Sequence, residues 1–150
     1  MICSAYIILL DLVNDIGRKV ETGGVETTII DFSLSRLEVD GGNTIFKDLA
    51  NDHDLFTARG MDHGGDYQFD IYRKMRSIHQ EDWAQFKPKT NIFWLHYMVE
   101  KCINGVYYKK SLKKTSKIYK SGMGKLRTVR NQLLDFDSAE HYVRREGIRI

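Results

Sequence analysis

Ile29-Ile30-Asp31-Phe32-Ser33-Leu34-Ser35-Arg36-Leu37-Glu38 sets a carboxylate and an aromatic ring directly behind a β-branched run. The preceding residues Val25 to Ile30 have the composition of a short strand, and Gly23-Gly24 punctuates its start. An aspartate at the end of a buried strand can hold a hard cation. Magnesium in particular takes one or two carboxylates together with phosphate oxygens. The same position also suits an ordinary turn or cap residue. On its own the segment leaves both roles open for Asp31.

Upstream, Tyr6 to Leu10 forms a second apolar run that reads as a strand. Asp11 follows it closely and no basic residue precedes it, which argues against a signal peptide. The run is also far shorter than the roughly 20 residues of a membrane span. Downstream, from Asp31 to Gly65, periodicity fades and glycines recur at 41, 42, 60, 64 and 65. A loop this long inside a compact domain is uncommon unless it is functional. Asp66 then supplies an N-cap for a helix over Tyr67 to Met75. Trp83, Phe86 and Pro88 mark a connector. Asn91 to Ile103 is apolar nearly all round, which predicts a helix at the centre of the core. Further helices are predicted over 110–120, 124–134 and 137–146, with Gly122 and Gly124 separating two of them. The fold class expected is therefore mainly α with a small β element (α+β).

The chain's 150 residues fit one domain or a fragment of a larger one. Cys3 and Cys102 are too few for a disulfide framework, and the default is a reducing compartment with two free thiols. A formal net charge of +3 conceals a segregation of charge. Six aspartates and one basic residue, Arg59, lie between Asp48 and Asp70; ten lysines and arginines and no acid lie between Lys101 and Leu134. Segregation of this kind bears on partners rather than on fold.

The acidic loop contains Asp52-His53-Asp54 and Asp62-His63. It reads either as a pocket for lysine or arginine of a substrate or as a solvated loop. The spacing of His53 and His63 matches no zinc pattern. The basic stretch Lys109 to Lys120 could contact nucleic-acid phosphates. It is read instead as the wet side of helices that bury Leu112, Ile118, Leu126 and Val129, so nucleic acid and membrane are not expected partners. No Ser/His/Asp or Cys/His nucleophile arrangement shows itself.

Taken in order, the segments are more specific than any one of them. Residues 29–38 resemble the haspin family's variant of the kinase Asp-Phe-Gly segment, in which the glycine is replaced and Leu-Ser-Arg-Leu-Glu follows. Asp52-His53-Asp54-Leu55-Phe56-Thr57 and Gly65-Asp66-Tyr67-Gln68-Phe69-Asp70-Ile71-Tyr72-Arg73 resemble the next two blocks. Asn91-Ile92-Phe93-Trp94-Leu95-His96-Tyr97 is similar to a fourth. The likeness covers about residues 25–104, with a weaker helical continuation to about 140.

This resemblance implies a protein-kinase-like C-lobe, here a single partial domain over 1–150 without the N-lobe. It implies ATP-dependent phosphorylation of a threonine near the start of a histone tail, in the nucleus. Asp31 would be the magnesium ligand bridging ATP phosphates. Asp52 and Asp54 would receive basic residues of the histone tail. Asp66 or Asp70 would brace the catalytic loop, and the sequence leaves open which.

The departures are equally specific. A working kinase needs a glycine-rich loop, a lysine–glutamate pair and a His-Arg-Asp loop with a downstream asparagine; none is found in this sequence. If Tyr6 to Leu10 corresponds to the strand after the catalytic loop, Ile7 stands about where that asparagine belongs. Residues 58–64 look like a small insertion. Three readings follow: the C-terminal part of a haspin-like kinase, inactive alone and poor at holding ATP and magnesium; a pseudokinase-like module binding basic tails; and a nucleic-acid binder through 109–130. With the rest of a C-lobe core missing, the helix around Trp94 is expected to expose an apolar flank.

Overall fold

A computed structural model describes residues 33–80, 82–105 and 113–146. The strands expected at 6–10 and 25–30, and Asp31 itself, lie outside the described residues. Within them the architecture is mainly helical with one two-stranded sheet, an α+β arrangement.

The stretch expected to be a plain loop opens with a hairpin. Strands β1 (Leu37–Val39) and β2 (Asn43–Ile45) pair antiparallel, with Leu37 opposite Ile45 and Val39 opposite Asn43. Asp40-Gly41-Gly42 makes the turn, where Gly41 and Gly42 have φ of +90° and +80°, conformations that L side chains rarely adopt. Arg36 fastens the hairpin to the body: its Nε donates to the Ala84 carbonyl at 2.6 Å and its Nη2 to Thr44 Oγ1 at 3.2 Å.

Five helices follow: α1 (His53–Thr57), α2 (Tyr67–His79), α3 (Lys89–Asn104), α4 (Lys117–Leu133) and α5 (Ala139–Glu146). Asp66 caps α2 by accepting from the Gln68 amide, and Gln80, in the left-handed region at φ 48°, ends it. Pro88 precedes α3, whose missing N–H costs nothing at a helix start. Ser116 caps α4 by accepting from the Tyr119 amide. The predicted break at Gly122 and Gly124 does not occur; α4 runs through both. Each interior glycine costs about 1 kcal/mol relative to alanine. Burial of Met123 and Leu133 along the same helix outweighs that local preference.

Helix α3 is apolar all round because it serves two cores. Phe93, Trp94 and Tyr97 pack with Leu49, Ile71, Tyr72 and Trp83. Ile92 packs with Leu133 and Phe136, supported by Leu95 and Val99. Trp94 meets Tyr72 and Tyr97 edge-to-face, with ring centroids 5.3 and 5.6 Å apart, the geometry the ring quadrupole favours. Lys89 Nζ donates to the carbonyls of Leu134 and Phe136 at 2.6 and 2.5 Å, joining the start of α3 to the end of α4.

Among the described residues the apolar flank expected around Trp94 is not found: Trp94 is only 3% exposed, and no large apolar side chain of α3 is exposed. Exposed apolar side chains lie elsewhere, at Leu37 and Ile45 on the hairpin, at Phe86 in the connector and at Ile118 on α4, which was expected on a buried face.

Candidate functional site

The acidic loop is not a featureless chain. Leu55 and Phe56 of α1 turn inward against the core cluster of Ile71 and Trp94, and the guanidinium of Arg76 lies 4.6 Å over the Phe56 ring. That anchorage sets α1 against α2 and leaves its polar residues outside. Asp52 occupies the N-cap position, yet its side chain makes no capping hydrogen bond. Asp54 lies in the first turn and is exposed. Neither carboxylate has a hydrogen-bond or ion-pair partner among the described residues. Two positions apart, they do not face one another as helical neighbours would. They therefore offer two separate anionic contacts.

A clamp on α2 holds this arrangement. Arg73 donates from Nη1 to the carbonyls of Phe56 at 3.1 Å and Ala58 at 2.9 Å, satisfying acceptors at the end of α1. Its Nη2 pairs with Asp70 Oδ1 at 2.6 Å. The other oxygen of Asp70 accepts from the Met61 amide at 2.8 Å, in the 3₁₀ turn Met61–His63. Residues 58–64, read as a small insertion, thus fold back on α2, and the turn closes through a Gly65 amide to Gly60 carbonyl bond of 2.9 Å. Two glycines are crowded here, Gly65 by backbone and Gly60 by the clamp's own side chains. A Cβ on Gly60 would land on the Asp70 carboxylate and the Arg73 guanidinium, and one on Gly65 would meet the Arg59 carbonyl.

Asp66 and Asp70, by contrast with Asp52 and Asp54, are occupied. Asp66 Oδ1 accepts from the Gln68 amide at 3.0 Å and Oδ2 from Lys101 Nζ at 2.7 Å, tying α2 to α3. Partial burial pushes the Asp66 carboxyl up, but the Gln68 amide and Lys101 outweigh it and hold the pKa below its ordinary 3.8. Burial likewise opposes ionisation of Asp70, and the Met61 amide and Arg73 reverse the balance, again lowering it.

A second polar network lies deeper. Tyr67 and His96 Nδ1 share a hydrogen bond of 3.0 Å. Burial, assisted by the charges of Asp70 and Glu100, pushes the Tyr67 hydroxyl up to about 12, so it stays protonated. Burial lowers the His96 pKa against the opposing pull of Glu100, favouring the neutral ring. Glu100, 9% exposed, accepts from Arg130 at 3.0 Å and from Asn104. Burial would raise its carboxyl; those donors win and lower it.

The structure thus leaves Asp52, at the N-cap of α1, and Asp54, in its first turn, without partners among the described residues, and sends Asp66 and Asp70 into structural contacts. Asp31 lies outside the described residues. Sequence reasoning passed over Arg73, Gly60 and Lys101. Arg73 stands three residues after Asp70, a spacing at which opposite charges on a helix meet. Nothing local points to its two carbonyl partners 15 and 17 residues away.

Comparison with known proteins adds an independent finding. Residues 8–150 match the family model described as haspin-like kinase domain. The haspin homologue of Drosophila melanogaster, a serine/threonine-protein kinase, is 40% identical over 118 residues, covering 79% of this chain and 19% of that protein. Haspin of Bos taurus is 42% identical over 95 residues, 62% of this chain and 11% of that protein. The haspin homologue of Arabidopsis thaliana is 33% identical over 124 residues, 83% of this chain and 18% of that protein. The chain spans less than a fifth of the length of each of these three relatives.

Proposed function

This chain belongs to the haspin-like kinase domain family of serine/threonine kinases, and we propose that it forms the C-lobe part of such a kinase, as a single partial domain. In this reading Asp52 and Asp54 receive basic residues of a histone tail whose threonine is phosphorylated in the nucleus. The observation that carries it is the contrast among four aspartates. Two are committed to internal partners. Two stand at the N-cap and in the first turn of a clamped helix, without partners among the described residues. Unpaired carboxylates fixed in place by contacts other than their own bind a cationic peptide without first breaking an ion pair.

Asp31 fits a magnesium ligand by its chemistry, as a carboxylate placed after a β-branched run. When bound, magnesium and ATP supply the phosphoryl group and neutralise the charge that develops during its transfer. This chain's residues contribute the peptide contacts and their support. The catalytic loop, glycine-rich loop and lysine–glutamate pair are not found in this sequence, so phosphoryl transfer is assigned to the whole kinase rather than to residues 1–150 alone. A second reading, a non-catalytic module that binds basic tails, is favoured by the same clamped helix, whose peptide contacts use none of the nucleotide-binding groups.

Fluorescence anisotropy of a labelled basic histone-tail peptide, titrated with the wild type and with Asp52→Ala/Asp54→Ala, tests the shared core of both readings. Weaker binding by the variant supports it; equal affinity removes it. Radiolabelled ATP, magnesium and the same peptide then separate the two: turnover by the full-length kinase supports the first reading, and binding without turnover supports the second.

A further inference from the structure

The continuity of α4 through Gly122 and Gly124 changes the meaning of the basic stretch. On one unbroken helix, at 3.6 residues per turn, Lys117, Lys120 and Arg127 fall within an arc of about 80°. All three are exposed, and none has an acidic partner among the described residues. Ser121, Thr128 and Asn131, also exposed, widen the arc to about 120° with neutral hydrogen-bonding groups. Gly124 lies in the middle with open space above it, so another backbone can approach closely. The inward face is a different surface: Met123 and Leu133 are buried there, and Arg130 turns to Glu100. Lys113 and Lys114, both exposed, extend the charge ahead of the helix.

From this we infer that the outer face of α4 docks on the phosphate backbone of duplex DNA. Lysine, arginine, serine, threonine and asparagine are the side chains that contact phosphate without reading sequence. From Lys117 to Arg127 the stripe is about 15 Å long, enough to follow several phosphates. Charge complementarity selects the partner, because no acid interrupts the chain from Lys101 to Leu134. An anionic membrane fits less well. Interfacial helices bury an apolar face, and the one large apolar side chain conspicuously exposed on α4 is Ile118. The inference uses none of the peptide-binding aspartates and stands apart from the proposed function.

The test is fluorescence anisotropy of the full chain with a labelled duplex of arbitrary sequence, repeated across salt concentrations. Lys117→Ala/Lys120→Ala/Arg127→Ala should reduce the slope of log affinity against log salt by about 2.7, at about 0.9 per phosphate contact. Between about 50 and 200 mM salt, the wild type should then lose about 40-fold more affinity than the variant. A charge-matched control, Lys47→Ala/Lys74→Ala/Arg144→Ala, should leave the slope unchanged. The inference is overturned by absent duplex binding, by equal slopes in wild type and triple variant, or by an equal loss in the control. Tighter binding to phosphatidylserine vesicles, lost in the same variant, would also overturn it by making a lipid surface the partner. Should the triple variant fail to fold, Lys120→Ala and Arg127→Ala singly should each lower the slope by about 0.9.

Discussion

Arg73→Ala attacks the support of the proposed peptide site without touching its carboxylates. The side chain makes two bonds to carbonyls, at 3.1 and 2.9 Å, and an ion pair at 2.6 Å. A typical intramolecular hydrogen bond is worth about 1 kcal/mol net. The ion pair is discounted, because Arg73's side chain is 36% exposed, and it adds well under ~1 kcal/mol. The expected loss is about 2–3 kcal/mol, and at about 2–4 °C per kcal/mol for a domain of this size, Tm falls by roughly 4–12 °C. Arg73→Lys should recover less than half of it, since one ammonium cannot reproduce the planar fork. Thermal unfolding followed by circular dichroism gives the first number. Peptide affinity should fall in parallel at a temperature where the variant remains folded, because α1 loses its hold at Phe56 and Ala58. A Tm change below about 2 °C, or a destabilised variant with wild-type affinity, would refute the clamp.

Gly60→Ala drives a methyl group into the same clamp from the other side. It should destabilise about as much as Arg73→Ala, and the two together should cost far less than their sum in the same melting assay. Gly122→Ala/Gly124→Ala should do the opposite, stabilising by about 1–2 kcal/mol, because both positions are helical with free space for a Cβ; an unchanged or lower Tm would contradict a continuous α4. Stability should fall in two steps on acidification. His96, held neutral by burial, has its pKa lowered from 6.5, so its contribution is full above that pH and is lost below it as the unfolded chain takes up the proton. Asp66, Asp70 and Glu100, also lowered, keep their contributions above ordinary values of 3.8, 3.8 and 4.5 and lose them as pH falls further. His96→Gln should flatten the upper step alone in a Tm-versus-pH series.

How much of this was readable beforehand depends on how local each signal is. Asp66 announces α2 because a cap lies beside the run it caps. The central place of α3 follows from an apolar surface that no single neighbour could cover. The hairpin was missed because its strands have three residues each and leave the apolar Leu37 and Ile45 outside, so no buried apolar face marks them. Only Asp40-Gly41-Gly42 hinted at the turn. The two glycines of α4 misled because local propensity was weighed without the packing that overrides it. The candidate site divides in the same way. Asp52 and Asp54 were singled out through family likeness alone, whereas their lack of partners among the described residues and the Arg73 clamp depend on contacts distant in sequence.

A charge swap tests the central claim most directly. Asp52→Lys/Asp54→Lys is titrated with the basic tail peptide and with a version whose lysines and arginines are replaced by glutamate, against the wild type with both. Reversed preference, with the variant binding the acidic peptide better than the basic one, is the predicted result. Unchanged preference for the basic peptide in the variant would show that these carboxylates are not where the tail binds.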